Sequence, residues 1–430
     1  LFKNPINTGE FLMRKIIKSI TGVFFCVSFL LCVIVGFYYV RLPDKYYLSE
    51  YNSFKINAFF DITAEPEQHE NSDSKPVYAV MSNSPEQVQL KLMGVIPIKS
   101  ARAERIERPM LIPCGTPFGI KIITGGAIVT ECGEVDGING FASPAKDGGI
   151  RAGDVITKVN GRDILRNNDI AEAVQLDPQK TIITYIRGEK TREIQITPVK
   201  SNKDGLYKIG LWVRDSSAGI GTMTYYNPAD GTFGGLGHAV CDVDTGQILP
   251  LSKGEAVSVF ISNVVKGYSG NPGELCGTFL SRIPIGIING NTEAGIFGIM
   301  EAPPVIGEAI EMAYKQEVEI GQAIMLATID GNAPKEYDII IEKIDYNEKN
   351  KVKNMVIKVT DRELLNQAGG IVQGMSGSPI IQNGRLVGAV THVFVSDPSR
   401  GYAIFAENMY RASLEVEIEN NNYMLELEAA

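Results

Sequence analysis

A chain of 430 residues has room for two or three domains and a full-sized core. A net charge of −9, with no stretch that interleaves basic and aromatic residues, excludes nucleic acid as a partner. Forty-four glycines among scattered valine, isoleucine and threonine point to strands and turns, so the fold class is mainly β. None of the six cysteines forms a C-x-x-C pair, which argues against a zinc or thioredoxin-like site. Disulfides beyond the apolar segment are one reading, though the spacing selects no partners; buried free thiols are the favoured one, and no metal or cofactor is implied.

Residues 1 to 12 read as an upstream extension, with Met13 as the start of the protein proper. Residues 1–18 form a cytoplasmic N-terminus in which Arg14, Lys15 and Lys18 precede 22 uncharged residues, Ser19 to Val40. As a helix that run spans a hydrocarbon core of about 30 Å, and the basic flank predicts that everything after Arg41 is exported. A cleaved signal peptide is the competing reading; the long apolar core and the missing small-x-small site favour an uncleaved anchor over 19–40. Residues 41–110 hold a polar linker, Leu42 to Lys75, with little fold of its own, followed by strand-like alternation at Val88, Leu90 and Leu92. His69 in that linker reads as solvated and inert.

Between 111 and 199, Ser143-Pro144-Ala145 leads through Gly149-Ile150-Arg151-Ala152-Gly153-Asp154-Val155-Ile156 to Val159-Asn160-Gly161. This pattern resembles a PDZ domain. The resemblance implies a helix over Asp169 to Leu176 beside a peptide groove, and strands at Thr181 to Arg187 and Arg192 to Pro198. It also implies a peptide-binding loop at Phe118, Gly119 and Ile120 that adds a peptide strand to a sheet edge. From Tyr207 onward, short strands alternate with turn residues, among them Ile209 to Val213, Ile220 to Tyr225 and Asp338 to Ile344. Such spacing over more than 200 residues suggests a β-barrel or sandwich enzyme core. The acidic tail 413–430 reads as a frayed helix or disordered.

One stretch carries the chemistry. Gly374-Met375-Ser376-Gly377-Ser378-Pro379 sets a serine between glycines ahead of the apolar run Ile380-Ile381. The glycines free the backbone to aim N–H groups at a single point, where a tetrahedral oxyanion forms. The chain has only three histidines, His69, His238 and His392. His238, in Gly234-Gly235-Leu236-Gly237-His238, is the best general base, and His392, alternating with apolar residues on a strand, reads as a packing residue.

Gly237-His238-Ala239, Asp242-Val243-Asp244-Thr245-Gly246 and Gly369 to Pro379 together resemble the stage IV sporulation protein B peptidase family, as does the order of anchor, PDZ domain and peptidase (205–412). The resemblance implies a trypsin-like double β-barrel with Ser376 as nucleophile, His238 as base and Asp361 as the orienting acid. Gly374 and Ser376 supply the oxyanion hole. Asp361 lies 15 residues before Ser376, closer than in a standard trypsin-like chain. Asp242 and Asp244 are its rivals, with a backbone-capping turn as their plain reading, and Ser378 is the rival hydroxyl. The family further implies a membrane-bound protein substrate in the forespore intermembrane space, late sigma-factor activation, self-cleavage, and PDZ recruitment of substrate or of another copy. Two other readings stand beside it: a catalytically silent PDZ adaptor, and a quality-control protease, whose PDZ modules usually follow the peptidase instead of preceding it.

Overall fold

The computed structural model describes residues 8–48, 54–56, 59–66, 86–188, 190–281 and 283–429, so His69 lies outside the described residues. The chain divides into two compact units.

The first unit runs to Glu107 and includes the short returns Gln316–Glu319 and Asp345–Asn350. Helix α1 (Thr8–Arg41) contains an apolar span, Met13–Arg41, whose most apolar window is wholly exposed, unlike the core helix of a soluble domain. At about 1.5 Å per residue the span is long enough to cross a membrane. Five strands follow: β1 (Lys45–Leu48), β2 (Phe54–Ile56), β3 (Ile62–Pro66), β4 (Glu86–Leu92) and β5 (Ile96–Arg105). They form one sheet in the order β1-β5-β4-β3-β2. The described residues of the expected linker thus include three strands of this sheet. Tyr46, Ile56 and Ile62 are buried in it, and in strands this short the apolar alternation is too brief to stand out from polar neighbours.

The second unit holds everything else, and its logic lies in two long strands, β6 (Pro117–Cys132) and β10 (Leu211–Tyr226). They pair antiparallel from Leu211↔Cys132 to Thr222↔Pro117, with bulges at Trp212/Val213 and Arg214/Ser216. At one end of this ribbon, β6 pairs with β7 (Val155–Val159), which continues to β8 (Thr181–Arg187) and β9 (Lys190–Ile196). Helix α2 (Asn167–Leu176) packs Ile170, Ala173 and Val174 onto that sheet, over Ile156, Ile183 and Ile209. At the other end, β6 and β10 close a six-stranded ring with β11 (Thr232–Gly235), β12 (Lys253–Val265), β13 (Gly286–Thr292) and β14 (Gly295–Ile299). Phe118, Ile120, Phe233 and Ile296 fill this first barrel. The segments 111–199 and 205–412 are thus interleaved through shared strands. The polar run Arg214 to Gly219 reads as a turn in sequence, yet it is ribbon whose main chain is satisfied by β6.

A second closed barrel contains β15 (Gly321–Ala327), β16 (Lys335–Ile344), β17 (Met355–Val359), β18 (Pro379–Gln382), β19 (Arg385–Phe394) and β20 (Asp397–Phe405), in the order β15-β16-β17-β20-β19-β18. The tail, expected as a frayed helix or disordered, is part of helix α4 (Ala406–Ala429), which buries Met409, Ser413 and Val416. A Cβ on Gly290 of the first barrel would lie 2.6 Å from Val416, so the helix packs directly against that strand.

Candidate active site

Helix α3 (Arg362–Gln367) ends at Ala368, and the chain then turns through Ile371, Val372 and the fully buried Met375 to Ser376. Gly374 and Gly377 both adopt φ of +96°, a conformation that side chains with a Cβ resist. Gly377 has a second constraint: a Cβ there would lie 1.9 Å from Thr222 O and 2.5 Å from Leu236 N. The nucleophile turn therefore rests directly on β10 and on the turn that leads to His238. The Gly377 N–H donates to Val390 O at 2.7 Å and Ser378 N–H to Met375 O at 3.0 Å. Among the described residues, the Gly374 and Ser376 N–H groups have no acceptor within the chain. Ser376, half-buried, donates its hydroxyl to Thr391 O at 2.8 Å. Ser378 is fully buried, which leaves its hydroxyl out of reach of any substrate.

His238 comes from the first barrel. Leu236 and Gly237 both take positive φ, +66° and +68°, and bend the chain sharply before it. Asn291 on β13 grips the main chain beyond: its amide accepts from Val240 N–H at 2.8 Å and donates to Val240 O and Leu249 O, each at 2.9 Å. The His238 Nδ1 lies 2.8 Å from Ala239 O. A carbonyl only accepts, so the proton sits on Nδ1 and Nε2 carries the free lone pair. Burial lowers the pKa of this imidazole, an effect the Ala239 carbonyl partly offsets, so it is neutral at pH 7.

The seam between the barrels brings Ser376 and His238 to the same segment. Ser376 bonds to Thr391 O, and a Cβ on Gly237 would lie 3.0 Å from the Thr391 methyl. The two side chains are not hydrogen-bonded to one another in this structure. His392 belongs to the seam too. Its ring lies 4.9 Å from that of His238, and burial, followed by His238 and Lys353, pushes its pKa down to about 4. His392 lies on the exposed face of its strand with its ring tilted against that of His238, not packed into the core as the alternation suggested.

The acids fall elsewhere. Asp361 caps α3, its Oδ1 accepting from Leu364 N–H at 2.9 Å, and it makes no bond to His238. Asp242 Oδ1 accepts from the N–H groups of Asp244 and Thr245, and its other oxygen pairs with Arg214, whose second nitrogen reaches Asp244 at 2.8 Å. Burial works against the Asp242 charge, yet Thr245 and Arg214 outweigh it and hold the carboxyl below the usual range. Asp242 thus caps its own turn, and the Asp244 carboxylate faces Arg214.

The peptide-binding assignment is corrected. Phe118, Gly119 and Ile120 are paired on both edges, to β10 and to β12, and Phe118 and Ile120 are buried in the first barrel. No strand can add to an edge already used. Among the described residues, the open edge lies at Leu211 to Val213 of β10, which there pairs only with β6. Beside it is a cavity of about 560 Å³ lined by Ile170, Val174, Ile209, Leu211 and Val213. Gln175 of α2 ties one end, exchanging bonds with Tyr207 N–H and O at 3.0 and 2.7 Å. The signal was present in Ile209-Gly210-Leu211-Trp212, a second glycine among apolar residues, with Gly210 at φ +73°. A larger cavity, about 1250 Å³, opens outside the first barrel around Tyr226, Pro228 and Ile285; neither Ser376 nor His238 lines it.

Two barrels with a serine turn and a histidine at their seam, and a PDZ-type sheet spliced into the first barrel, define a serine peptidase fitted with a peptide-binding module. Residues 205–410 match the family model described as SpoIVB peptidase S55, and residues 142–187 match that of the PDZ domain. Residues 205–410 thus form a serine peptidase domain of the SpoIVB type, the peptidase type named for sporulation. No curated protein matches it. Among solved structures, the PDZ domain of the SdrC-like protein from Listeria monocytogenes is 24% identical, over 21% of this chain and 90% of that one, with a TM-score of 0.18.

Proposed function

We propose that this protein is a membrane-tethered signalling endopeptidase in which Ser376 attacks the scissile carbonyl and His238 is the base. The observation that carries this reading is the pair of acceptor-free N–H groups, Gly374 and Ser376, flanking a serine that shares its seam with a neutral imidazole. The Ser376 hydroxyl turns from Thr391 O to His238 Nε2, which takes its proton as Oγ bonds to the carbonyl carbon. The developing oxyanion is held by the Gly374 and Ser376 N–H groups. The imidazolium then protonates the leaving amine, and water attacks the acyl-enzyme by the same route in reverse. Ala239 O performs the task an aspartate has in a triad, fixing the tautomer.

The apolar span Met13–Arg41, with basic residues before it, supports an anchor with a cytoplasmic N-terminus and an exported peptidase. The family's description supports a role in sporulation. There the substrate is a membrane-associated regulatory protein of the forespore intermembrane space, whose cleavage leads to late sigma-factor activation. The α2/β10 groove recruits that substrate, or the linker of a second copy for self-cleavage. Ser376→Ala in the full chain is expected to abolish peptide cleavage and labelling by a fluorophosphonate while leaving peptide binding intact. Unchanged cleavage in that variant overturns the assignment.

A further inference from the structure

Thr222 lies on β10 where that strand passes beneath the seam, and it is only 2% exposed. Three bonds leave it. Its N–H donates to Ser376 O at 2.9 Å, its hydroxyl donates to Gly374 O at 2.8 Å, and its carbonyl accepts from Leu236 N–H at 3.2 Å. Two of these reach the nucleophile turn, and the third reaches the turn two residues before His238. Thr224, next on the same face, donates its hydroxyl to Gly377 O at 2.7 Å.

We propose that Thr222 is a positioning residue for the peptidase reaction, holding the nucleophile turn in its oxyanion-binding form and in register with His238. This rests on the reading of Ser376 as nucleophile. The peptide unit that carries the Ser376 N–H lies between two units whose carbonyls, Gly374 O and Ser376 O, are both pinned to Thr222. With those carbonyls drawn toward β10, the intervening unit cannot rotate freely. Glycine at 374 supplies little resistance of its own, because it tolerates many backbone conformations. The Thr222 hydroxyl provides the restraint that residue 374 lacks. Thr222 touches no reacting atom; it acts through the geometry of Gly374 and Ser376.

The test uses the full chain in detergent, with Thr222→Val to delete the hydroxyl at constant shape and Thr222→Ser to keep it. In Thr222→Val, kcat on a peptide substrate is expected to fall about 10- to 100-fold with KM changed less than about 2-fold, as for a misplaced reacting group. The rate of fluorophosphonate labelling falls in parallel, and Thr222→Ser restores both. A folded Thr222→Val protein with unchanged kcat, beside an inactive Ser376→Ala, overturns the positioning role and leaves the nucleophile intact. Labelling that persists in Ser376→Ala overturns the nucleophile reading instead. Should valine disturb folding, judged by far-UV circular dichroism, Thr222→Ala takes its place. Equal kcat in the alanine and serine variants then sinks the proposal.

Discussion

His238 and His392 are neighbouring imidazoles, tilted 38° to one another with centroids 4.9 Å apart, and each is depressed for a physical reason that yields a measurable pH dependence. His238 must be neutral to act as base, and burial lowers its pKa, so the acid limb of kcat/KM should fall below about 6.5, the ordinary histidine value. His392 is pushed down to about 4, so it is uncharged through most of that limb, and its ring covers one side of the His238 ring. His392→Ala should therefore move the limb upward, toward about 6.5, as solvent reaches His238. A midpoint that stays put or drops in a pH-rate profile contradicts this. Stability follows the same shift. Between the unfolded value of about 6.5 and the folded value of about 4, the unfolded chain binds more protons. The stabilisation from a neutral His392 is thus fully present above the upper value and is lost as pH falls toward the lower. Thermal melts from pH 7 to 4 should decline less steeply in His392→Asn than in the parent.

Among the elements, α3 shows how a short helix bears on the site. Its last residue is Gln367, and Ser376 follows nine residues on, so its entry geometry is passed on to Ser376. Asp361→Ala removes the cap and should cost about 1 kcal/mol of stability, with activity falling as the following turn loosens. Serine caps nearly as well as aspartate, so Asp361→Ser should keep the fold and most of the activity. A folded Asp361→Ser protein as inactive as the alanine variant would show that the carboxylate itself serves His238. Strand β10 is the other decisive element. Its first residues form the free edge of the PDZ groove, while Thr222 and Thr224 clamp the nucleophile turn at its far end. Trp212, the only tryptophan of the chain, sits on that edge and is exposed. Its fluorescence should change on adding a peptide that ends in a free valine carboxylate, and less with the amidated twin. Ala171→Tyr, which fills the groove from α2, should remove the response; a signal that survives it sinks this placement of the groove.

At the scale of the molecule, the peptide-binding sheet and the first barrel are spliced through β6 and β10, without a linker between them. The PDZ signature itself was legible because its turn, Gly149 to Asp154, is local. Asp154 is buried beneath a two-pronged Arg187 pair at 2.6 and 2.7 Å, a contact the short Gly-Asp spacing prepares. The groove was misplaced because two similar stretches, Pro117 to Ile120 and Ile209 to Trp212, compete for it, and only pairing decides which has a free edge. Phe118 and Ile120 are apolar because they fill a barrel.

By itself the sequence determined the mainly β class, the apolar span and the PDZ motif, and it singled out Ser376 and His238 as candidates. Each of these depends on residues close together in the chain, where backbone freedom, apolar length and side-chain chemistry act without help from distant partners. Only the tertiary structure decided that two strands are shared between modules, that the His392 ring lies beside that of His238, that Asp361 is a helix cap, and that Thr222 bonds to both Gly374 and Ser376. Those facts join residues as far apart as 222 and 374, and composition constrains such contacts weakly. A threonine hydroxyl on an apolar strand looks the same in sequence whether it meets water or the carbonyl of a nucleophile turn.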